Sequence, residues 1–223
     1  SQSLNIFGDH SDVYACRQTG FAMLAESNPQ EVMDLAPVAH LAALEGKVPF
    51  LNFFDGFRTS HEIQKIETWD YADLKEMCNM DAVKAFRDHA LNPNNPAMRG
   101  SHENGDVFFQ HREACNSVYD ALPEVVCKYL AKVNAKLGTN YDLFNYYGAA
   151  DADRVIIAMG SVCDVAEEVV DYLNAHGEKV GLIKVRLYRP WVSEKFLSVL
   201  PKTVKKIAVL DRTKEPGSLG EPL

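Results

Sequence analysis

Residues 48–54 are the feature that most restricts how this chain can fold. The run Val-Pro-Phe-Leu-Asn-Phe-Phe is apolar on both faces apart from Asn52, which predicts a strand buried between helices in a parallel sheet. Asp55-Gly56 follows, and glycine allows the sharp exit that ends such a strand. Ligands of open parallel sheets lie beyond the carboxyl ends of the strands, so Arg58 and His61 stand where a binding site is expected. A charged loop after a strand is also typical of plain solvated surface.

Residues 6–12, Ile-Phe-Gly-Asp-His-Ser-Asp, repeat the pattern of a short apolar strand, a glycine and a polar turn. Asp9, His10 and Asp12 could coordinate a metal or transfer a proton. Alternatively, Ser11 or Asp12 begins a helix and Asp9 makes a turn bond. If this strand and the 48–54 strand are neighbours, Asp9 and His10 share a sheet edge with the Arg58 loop. That juxtaposition would indicate an active site more strongly than either turn alone.

The rest of the first half is predicted to be α/β and then helical. A strand at 21–24, a helix at about 29–45 capped by Asn28 and the 48–54 strand form one right-handed crossover. Pro37 lies inside that helix and should kink it. The elements expected downstream are helices at 69–79, 81–91, 113–121 and 123–137, the last with Pro123 at its first position, and a long loop at 92–106.

The second half opens after a stretch at 139–153 that is predicted to be a linker. Strands are expected at 155–159, 180–185 and 206–210, alternating with helices at about 164–176 and from 193, which is the pattern of another parallel sheet. Gly160-Ser161 could hold a phosphate on backbone N–H groups, or simply form a tight strand–helix turn. The predicted fold class is therefore α/β, with two parallel-sheet domains, 1–145 and 146–223, and helices on the sheet faces.

Charge and cysteine usage exclude several classes of protein. The net charge of −8 and the pI near 5.4 argue against nucleic-acid binding, which needs clustered Lys and Arg. No apolar stretch approaches the ~20 residues of a membrane helix, and no signal-peptide pattern is visible. The five cysteines are scattered without a Cys-x-x-Cys pair, which excludes a local zinc or iron–sulfur motif and favours reduced cytoplasmic thiols. Neither Gly-x-Ser-x-Gly nor a Ser-His-Asp arrangement supports a serine hydrolase.

Both ends suggest a piece of a longer protein. An apolar segment that begins at Leu4 follows Ser1 almost at once, and the chain stops soon after a turn rich in glycine and proline at 215–222. We therefore expect both domains to be incomplete.

Six segments of the chain, in order, form a distinctive set of motifs. They are Ile6-Phe-Gly-Asp-His10, Asp12-Val-Tyr14, Arg17-Gln-Thr-Gly-Phe-Ala-Met23, Phe53-Phe-Asp-Gly-Phe-Arg-Thr-Ser-His-Glu-Ile-Gln-Lys-Ile-Glu67, Gly181-Leu-Ile-Lys-Val-Arg-Leu-Tyr-Arg-Pro190 and Leu210-Asp-Arg-Thr-Lys-Glu-Pro-Gly217. The longest two, which begin at Phe53 and Gly181, are highly specific. Together the six segments resemble the pyruvate:ferredoxin (flavodoxin) oxidoreductases, and the resemblance covers essentially the whole chain.

The resemblance implies a segment of a cytoplasmic, homodimeric enzyme of anaerobic metabolism. Such enzymes oxidatively decarboxylate pyruvate with thiamine diphosphate and Mg²⁺ and transfer the acetyl group to coenzyme A. They pass the electrons through [4Fe-4S] clusters to ferredoxin or flavodoxin. Residues 1–145 would be the later part of the pyrimidine-binding first domain, and 146–223 the start of a domain similar to the C-terminal domain of transketolase. The partners of this segment would be the remaining domains of its own longer chain.

The same resemblance implies that the principal catalytic residues lie elsewhere. The family's pyruvate-holding threonine and arginine and its cofactor-activating glutamate would precede Ser1. The diphosphate-binding Gly-Asp-Gly and the cluster cysteines would follow Leu223, and Gly8-Asp9-His10 is not a substitute for that motif. We therefore assign no catalytic, cofactor-binding or metal residue to this chain, and we expect the isolated chain to be inactive and to carry no cofactor.

At most, Gly8, Asp9, His10, Arg58 and His61 surround a pocket, or lie at the edge of one, that other segments complete. Arg58 could bind a substrate carboxylate with two parallel bonds, or it could anchor its own loop to a nearby glutamate, Glu62 or Glu67. The anchor is the favoured interpretation. Two functional alternatives stay open: a free-standing scaffold or binding protein of the same fold, and a related 2-oxoacid:ferredoxin oxidoreductase with another substrate.

Overall fold

The computed structural model describes residues 3, 5–100 and 102–223, so Leu4 of the first predicted strand and Ser101 of the predicted long loop lie outside the described residues. The described strands are β1 (Ala22–Ala25), β2 (Phe50–Phe53), β3 (Phe144–Gly148), β4 (Arg154–Ala158), β5 (Val180–Val185), β6 (Leu187–Arg189) and β7 (Lys206–Val209). The described helices are α1 (Ser11–Ala15), α2 (Pro29–Gly46), α3 (Tyr71–Met77), α4 (Met80–Asp88), α5 (Phe108–Ala114), α6 (Asn116–Leu137), α7 (Val162–Ala175) and α8 (Ser193–Val199), and a short 3₁₀ turn, Cys16–Gln18, follows α1.

The strands form two sheets, of order β2-β1-β6 and β3-β5-β4-β7. The pairs β1–β2, β4–β5 and β4–β7 are parallel, which confirms the α/β class and its crossover units. Each sheet also has an antiparallel edge strand that the sequence did not predict, because β6 pairs with β1 and β3 pairs with β5. The sheets are therefore mixed rather than purely parallel, as is common when an extra strand covers the edge of an α/β sheet.

The chain passes directly from one sheet into the other. Only Arg186 separates β5 from β6, so the backbone crosses between the sheets without a helix. One cluster of buried side chains accordingly contains Met23 and Leu24 of β1 together with Phe144, Ile183 and Tyr188 from the second half. Burial of these apolar groups away from water makes the main favourable contribution to the free energy that holds the two halves together.

Three local predictions need correction. The stretch at 139–153, predicted to be a linker, contains β3, whose Phe144 is only 2% exposed; the division at 145/146 falls within this strand. Pro123 lies inside the continuous helix α6 rather than at a helix start, where burial of Leu122, Val126 and their neighbours offsets the missing N–H bond. Residues 6–7 form an exposed turn instead of a strand, with the Phe7 N–H bonded to Asn5 Oδ1 at 3.0 Å.

The signals at the start of α2 are confirmed. Asn28 is the N-cap, its side-chain oxygen accepts the Glu31 N–H at 3.0 Å, and Pro29 occupies the first helical position. The helix ends at Gly46, where Lys47 takes the left-handed conformation at φ 56°, and Pro37 lies within it. Helix α2 packs against α6 and carries the chain from β1 to β2. None of the described helices is both long enough and apolar enough to cross a membrane.

Candidate functional site

A buried carboxylate, Asp55, lies at the centre of a polar cluster just beyond the carboxyl end of β2. Its side chain is fully buried, and its Oδ1 lies 2.5 Å from Nε2 of His10. Oδ2 accepts the backbone N–H of Ser161 at 2.7 Å and an N–H of Arg212 at 2.7 Å. We call Asp55, His10, Ser161 and Arg212 the Asp55 cluster.

Arg212 ties this cluster to the segment before α1. Its Nη1 also donates to Ser161 Oγ at 2.7 Å, and its Nη2 donates to the carbonyl of Phe7 at 2.8 Å. In return, the backbone N–H of His10 donates to the carbonyl of Arg212 at 2.9 Å. Four segments that are distant in sequence therefore meet at one carboxylate.

Two glycines make this approach possible. Gly160 has φ +82°, and a Cβ at this position would lie 2.8 Å from Asp55 Oδ2 and 3.2 Å from His10 Cε1. Gly8 has φ +128°, and its Cβ would lie 2.4 Å from the guanidinium carbon of Arg212. A side chain at either site would push the cluster apart, and the positive φ would itself be strained.

The cluster keeps Asp55 ionised. Burial alone would raise the pKa of this carboxyl, but the hydrogen bonds from His10 and Ser161 outweigh it and hold the pKa below its ordinary value. The N-terminus of α7 is a favourable place for an anion, and here the anion is Asp55. The backbone N–H of Ser161, which could have bound a phosphate, already donates to Asp55. The Gly160-Ser161 turn therefore acts as a tight strand–helix connection.

The cluster contains a serine, a histidine and an aspartate but is not arranged as a nucleophile triad. Such a triad needs the imidazole between the hydroxyl and the carboxylate. Among the described residues, the Ser161 hydroxyl is bonded to Arg212 rather than to His10. The geometry fits a structural connection between two sheets rather than hydrolysis.

The other predicted site residues divide into two groups. Asp9 accepts the Ser11 N–H at 2.9 Å. It therefore makes the predicted turn bond, and it lies next to the buried His10 in sequence. Arg58 and His61 are exposed, and neither is among the described hydrogen-bond partners of the Asp55 side chain. The guanidinium of Arg58 lies 5.4 Å from the centre of the Phe7 ring, and His61 stacks on Phe57 at 4.5 Å.

The anchor of the 55–67 loop is Thr59 rather than Arg58. Within the described residues Arg58 forms no ion pair with Glu62 or Glu67. Thr59 is 3% exposed, and its hydroxyl donates to the carbonyl of Ser27 at 3.1 Å. The prediction that Arg58 anchors this loop through Glu62 or Glu67 was therefore wrong, because Thr59 makes the anchoring bond instead.

An apolar groove of about 910 Å³ lies between α2 and the segment that leads to α3, with Met33, Pro37, Leu41, Phe54 and Trp69 among its lining residues. The Trp69 indole N–H donates to the Met33 carbonyl at 2.9 Å and ties this segment to α2. The groove is separate from the Asp55 cluster and shows no convergence of ionisable groups.

The Asp55 cluster does not fit a thiamine diphosphate site. That cofactor needs free N–H donors and acidic ligands for its diphosphate and Mg²⁺, and an accessible carboxylate for its aminopyrimidine. The donors of the Asp55 cluster already serve Asp55. Within the part of the chain that the structure describes, no group of three or more His, Cys, Asp or Glu side chains could hold a metal ion. No step of cofactor chemistry is therefore assigned to residues of this chain.

Sequence reasoning missed Arg212, considered Ser161 only as part of a phosphate-binding or tight turn, and treated Asp55 only as the end of a strand. The signal that could have found them is the pairing of an aspartate at the end of an apolar strand with two Gly-containing turns, at Gly8 and Gly160. Which turn meets which strand is a long-range property that the local pattern does not specify.

Comparison with known proteins identifies two matching families. Residues 1–131 match the family described as "Pyruvate flavodoxin/ferredoxin oxidoreductase, thiamine diP-bdg". Residues 152–222 match "Pyruvate:ferredoxin oxidoreductase core domain II". The Asp55 cluster joins these two matched segments, since Asp55 and His10 belong to the first and Ser161 and Arg212 to the second.

Similar proteins match over the whole of this chain. It is 63% identical to a pyruvate-flavodoxin oxidoreductase of Enterobacter agglomerans and 60% identical to a pyruvate:ferredoxin oxidoreductase of Moorella thermoacetica, each over 223 residues. A pyruvate dehydrogenase [NADP(+)] of Cryptosporidium parvum is 50% identical over 224 residues. The chain spans 19% of the length of the first two relatives and 12% of the third.

A solved structure shares the fold. It is a 2-oxoglutarate:ferredoxin oxidoreductase from Magnetococcus marinus with 2-oxoglutarate, coenzyme A and succinyl-CoA bound. The TM-score is 0.54 at 18% identity, over 94% of this chain and 39% of that one. At this identity the likeness concerns the fold alone.

Proposed function

Because this chain belongs to the pyruvate flavodoxin/ferredoxin oxidoreductase family, we propose that it works within a longer, thiamine-diphosphate-dependent enzyme. That enzyme oxidatively decarboxylates pyruvate to acetyl-CoA and reduces ferredoxin or flavodoxin. The names and high identity of the relatives support pyruvate as the substrate. The matched family description supports thiamine diphosphate as the cofactor.

The contribution of this chain is to join two α/β units and fix their orientation. The Asp55 cluster carries this proposal, because a fully buried carboxylate from one matched segment is bonded to Ser161 and Arg212 of the other. Charge-assisted hydrogen bonds in a buried site are strong and directional, so they set the angle between units as well as the contact. Gly8, Asp9 and His10 then line the edge of a pocket that other parts of the enzyme complete, while the exposed Arg58 and His61 lie on the neighbouring loop.

Further features of the longer enzyme belong to the same proposal. It uses Mg²⁺ with the diphosphate and [4Fe-4S] clusters for electron transfer, acts as a homodimer and is cytoplasmic. All five cysteines of this chain lie in its described part and are unpaired, which is typical of a reducing compartment. The clusters would be held by cysteines elsewhere in the enzyme.

A chimaera tests the proposal. These 223 residues replace the corresponding segment of the Enterobacter agglomerans relative, to which they are 63% identical. The assay is pyruvate-dependent reduction of flavodoxin or methyl viologen with thiamine diphosphate, Mg²⁺ and coenzyme A. We expect an active chimaera and no turnover by the isolated chain, which should also carry no stoichiometric iron or zinc.

Two variants of the chimaera separate the joining role from a general loss of folding. Asp55→Ala should lower activity and thermal stability together, whereas Asp120→Ala, at an exposed position of α6, should leave both unchanged. A folded chimaera without activity would overturn the assignment to this reaction. Turnover by the isolated chain would overturn the inference that its catalytic residues lie elsewhere.

A further inference from the structure

A second buried carboxyl group, Glu26, has no partner. Glu26 follows β1 directly and is 1% exposed. Among the described residues, neither of its side-chain oxygens has a hydrogen-bond partner, although its backbone N–H donates to the carbonyl of Phe53 at 3.0 Å. A buried, ionised carboxylate without hydrogen bonds is very costly in free energy, so this arrangement needs an explanation.

The neighbouring strand supplies a matching unpartnered atom. Asn52 of β2 is paired in register with Leu24, two residues before Glu26. Side chains two residues apart on a strand lie on the same face of the sheet, so Asn52 and Glu26 share one face. The Asn52 Oδ1 atom is also buried without a partner. Acceptor oxygens cannot satisfy one another, but a proton on one Glu26 oxygen would let that oxygen donate to Asn52 Oδ1, because a protonated carboxyl is a donor.

In the described structure, the cations at this junction, Arg186 and Lys184, are already paired with other carboxylates. Arg186 makes two parallel bonds to Glu31 of α2, at 2.7 and 2.8 Å. Lys184 of β5 is bonded to Glu167 of α7 at 2.5 Å and lies 3.9 Å from Glu31. In the first turn of α7, Asp164 accepts from the Asn28 side chain at 3.0 Å, and the thiol of Cys163 is buried.

The balance of these surroundings favours the neutral acid. Burial first, and then the negative charge of Glu31, raise the pKa of Glu26 well above its usual value, and the opposing effect of the Arg186 charge is smaller. The groups come from β2, α2, β5, the β5–β6 junction and α7, which are the elements that meet where the two sheets are joined.

We propose that Glu26 is protonated in the folded protein at neutral pH and donates a hydrogen bond to Asn52 Oδ1, which makes this junction between the two sheets sensitive to alkaline pH. The unfolded chain holds the proton with the ordinary affinity of a glutamate, near a pKa of about 4.3, and the folded chain holds it more tightly. The stabilisation by this group is therefore complete below that value and is lost as the pH rises through the folded-state pKa.

Urea unfolding of the 223-residue chain between pH 5 and pH 9 tests this, with Glu26→Gln as the variant. Glutamine has the shape of the protonated acid and keeps a donor for Asn52. We expect the wild type to lose stability relative to Glu26→Gln as the pH rises. The ratio of their unfolding equilibrium constants, wild type over variant, should increase at least about tenfold from pH 5 to pH 9. Glu194→Gln, at an exposed position, should follow the wild type at every pH.

An infrared measurement keeps the proposal testable if Glu26→Gln fails to fold. The folded wild type at pH 7 should show the C=O stretching band of a protonated carboxyl group, and the band should disappear at higher pH together with the loss of stability. Parallel pH profiles for wild type and Glu26→Gln would overturn the proposal. So would a variant that is less stable than wild type at pH 9, or the absence of the infrared band.

Discussion

Removal of the Asp55 carboxylate is the perturbation that most directly tests how the two sheets are held together. In Asp55→Ala, the Ser161 N–H, the His10 ring and Arg212 each lose an acceptor at 2.5–2.7 Å. Arg212 keeps its bond to the Phe7 carbonyl at 2.8 Å, but its charge has no counterion in the cluster. The variant therefore leaves several polar groups unpaired in a largely buried site.

The expected magnitude follows from burial. Removing one partner of a buried ion pair costs about 3–5 kcal/mol, because the other partner is left uncompensated. The Arg212 side chain is 22% exposed, so water can solvate part of its charge, and the lower half of that range, about 3 kcal/mol, is expected. For a chain of this size that corresponds to a fall in Tm of roughly 6–12 °C.

The assay is thermal and urea unfolding at pH 7, with the exposed Asp120→Ala as the matched control. A surface substitution of this kind should stay within about 0.5 kcal/mol of wild type. Asp55→Asn gives an intermediate test, since the amide keeps an oxygen for the Ser161 N–H but loses the charge that faces Arg212.

The pH dependence of Asp55→Ala has a defined sign. Because the folded-state pKa of Asp55 is lowered, its stabilisation is present above the unfolded pKa of about 3.9 and is lost as the pH falls below that value. The difference between wild type and Asp55→Ala should therefore shrink from pH 5 towards pH 2. A loss at pH 7 no larger than that of Asp120→Ala, or a difference that grows in acid, would refute this reasoning.

The remaining predictions concern the surroundings of the cluster. Gly160→Ala should destabilise the chain by roughly 2 kcal/mol more than Gly177→Ala in urea unfolding, since both glycines have positive φ but only the Cβ at Gly160 meets other atoms; equal losses would show that the close approach to Asp55 is unimportant. Arg58→Ala should cost about 0.5–1 kcal/mol, because its side chain is exposed and its guanidinium lies over the Phe7 ring, whereas a large loss of chimaera turnover at unchanged stability would indicate a substrate contact. Limited proteolysis should cut first in the 92–106 loop, whose described residues are exposed; a first cut within β3 would contradict its assignment as a paired strand.

Local patterns in the sequence were sufficient for most helices and strands. The apolar run at 48–54 contains β2, and the Asn28-Pro29 signal marks the start of α2. These features depend on residues within one turn or one strand of each other, so a short window of sequence contains the necessary information. The same holds for β4, α7 and β5, where an apolar strand, a glycine and an amphipathic helix follow in order.

Where local signals conflict with packing, the tertiary structure decides. The segment of β3 has asparagines and a glycine nearby, which are typical of a linker, but burial of Phe144 and pairing with β5 make it a strand. Pro123 is a helix-start signal, yet α6 runs through it because one face of the helix is buried. In both cases the gain from burial exceeds a local preference of about 1–3 kcal/mol.

The candidate site was predictable in its location but not in its membership. The sequence determined that polar residues follow β2 and that Gly8 and Gly160 lie in tight turns. Only the tertiary structure brought Asp55 to His10, Ser161 and Arg212, across separations of 45, 106 and 157 residues. The same holds for Arg186, which bonds Glu31 across 155 residues. Hydrophobic periodicity specifies which face of an element is buried, but it does not specify which distant element covers that face, and the buried charges pair only once that choice is made.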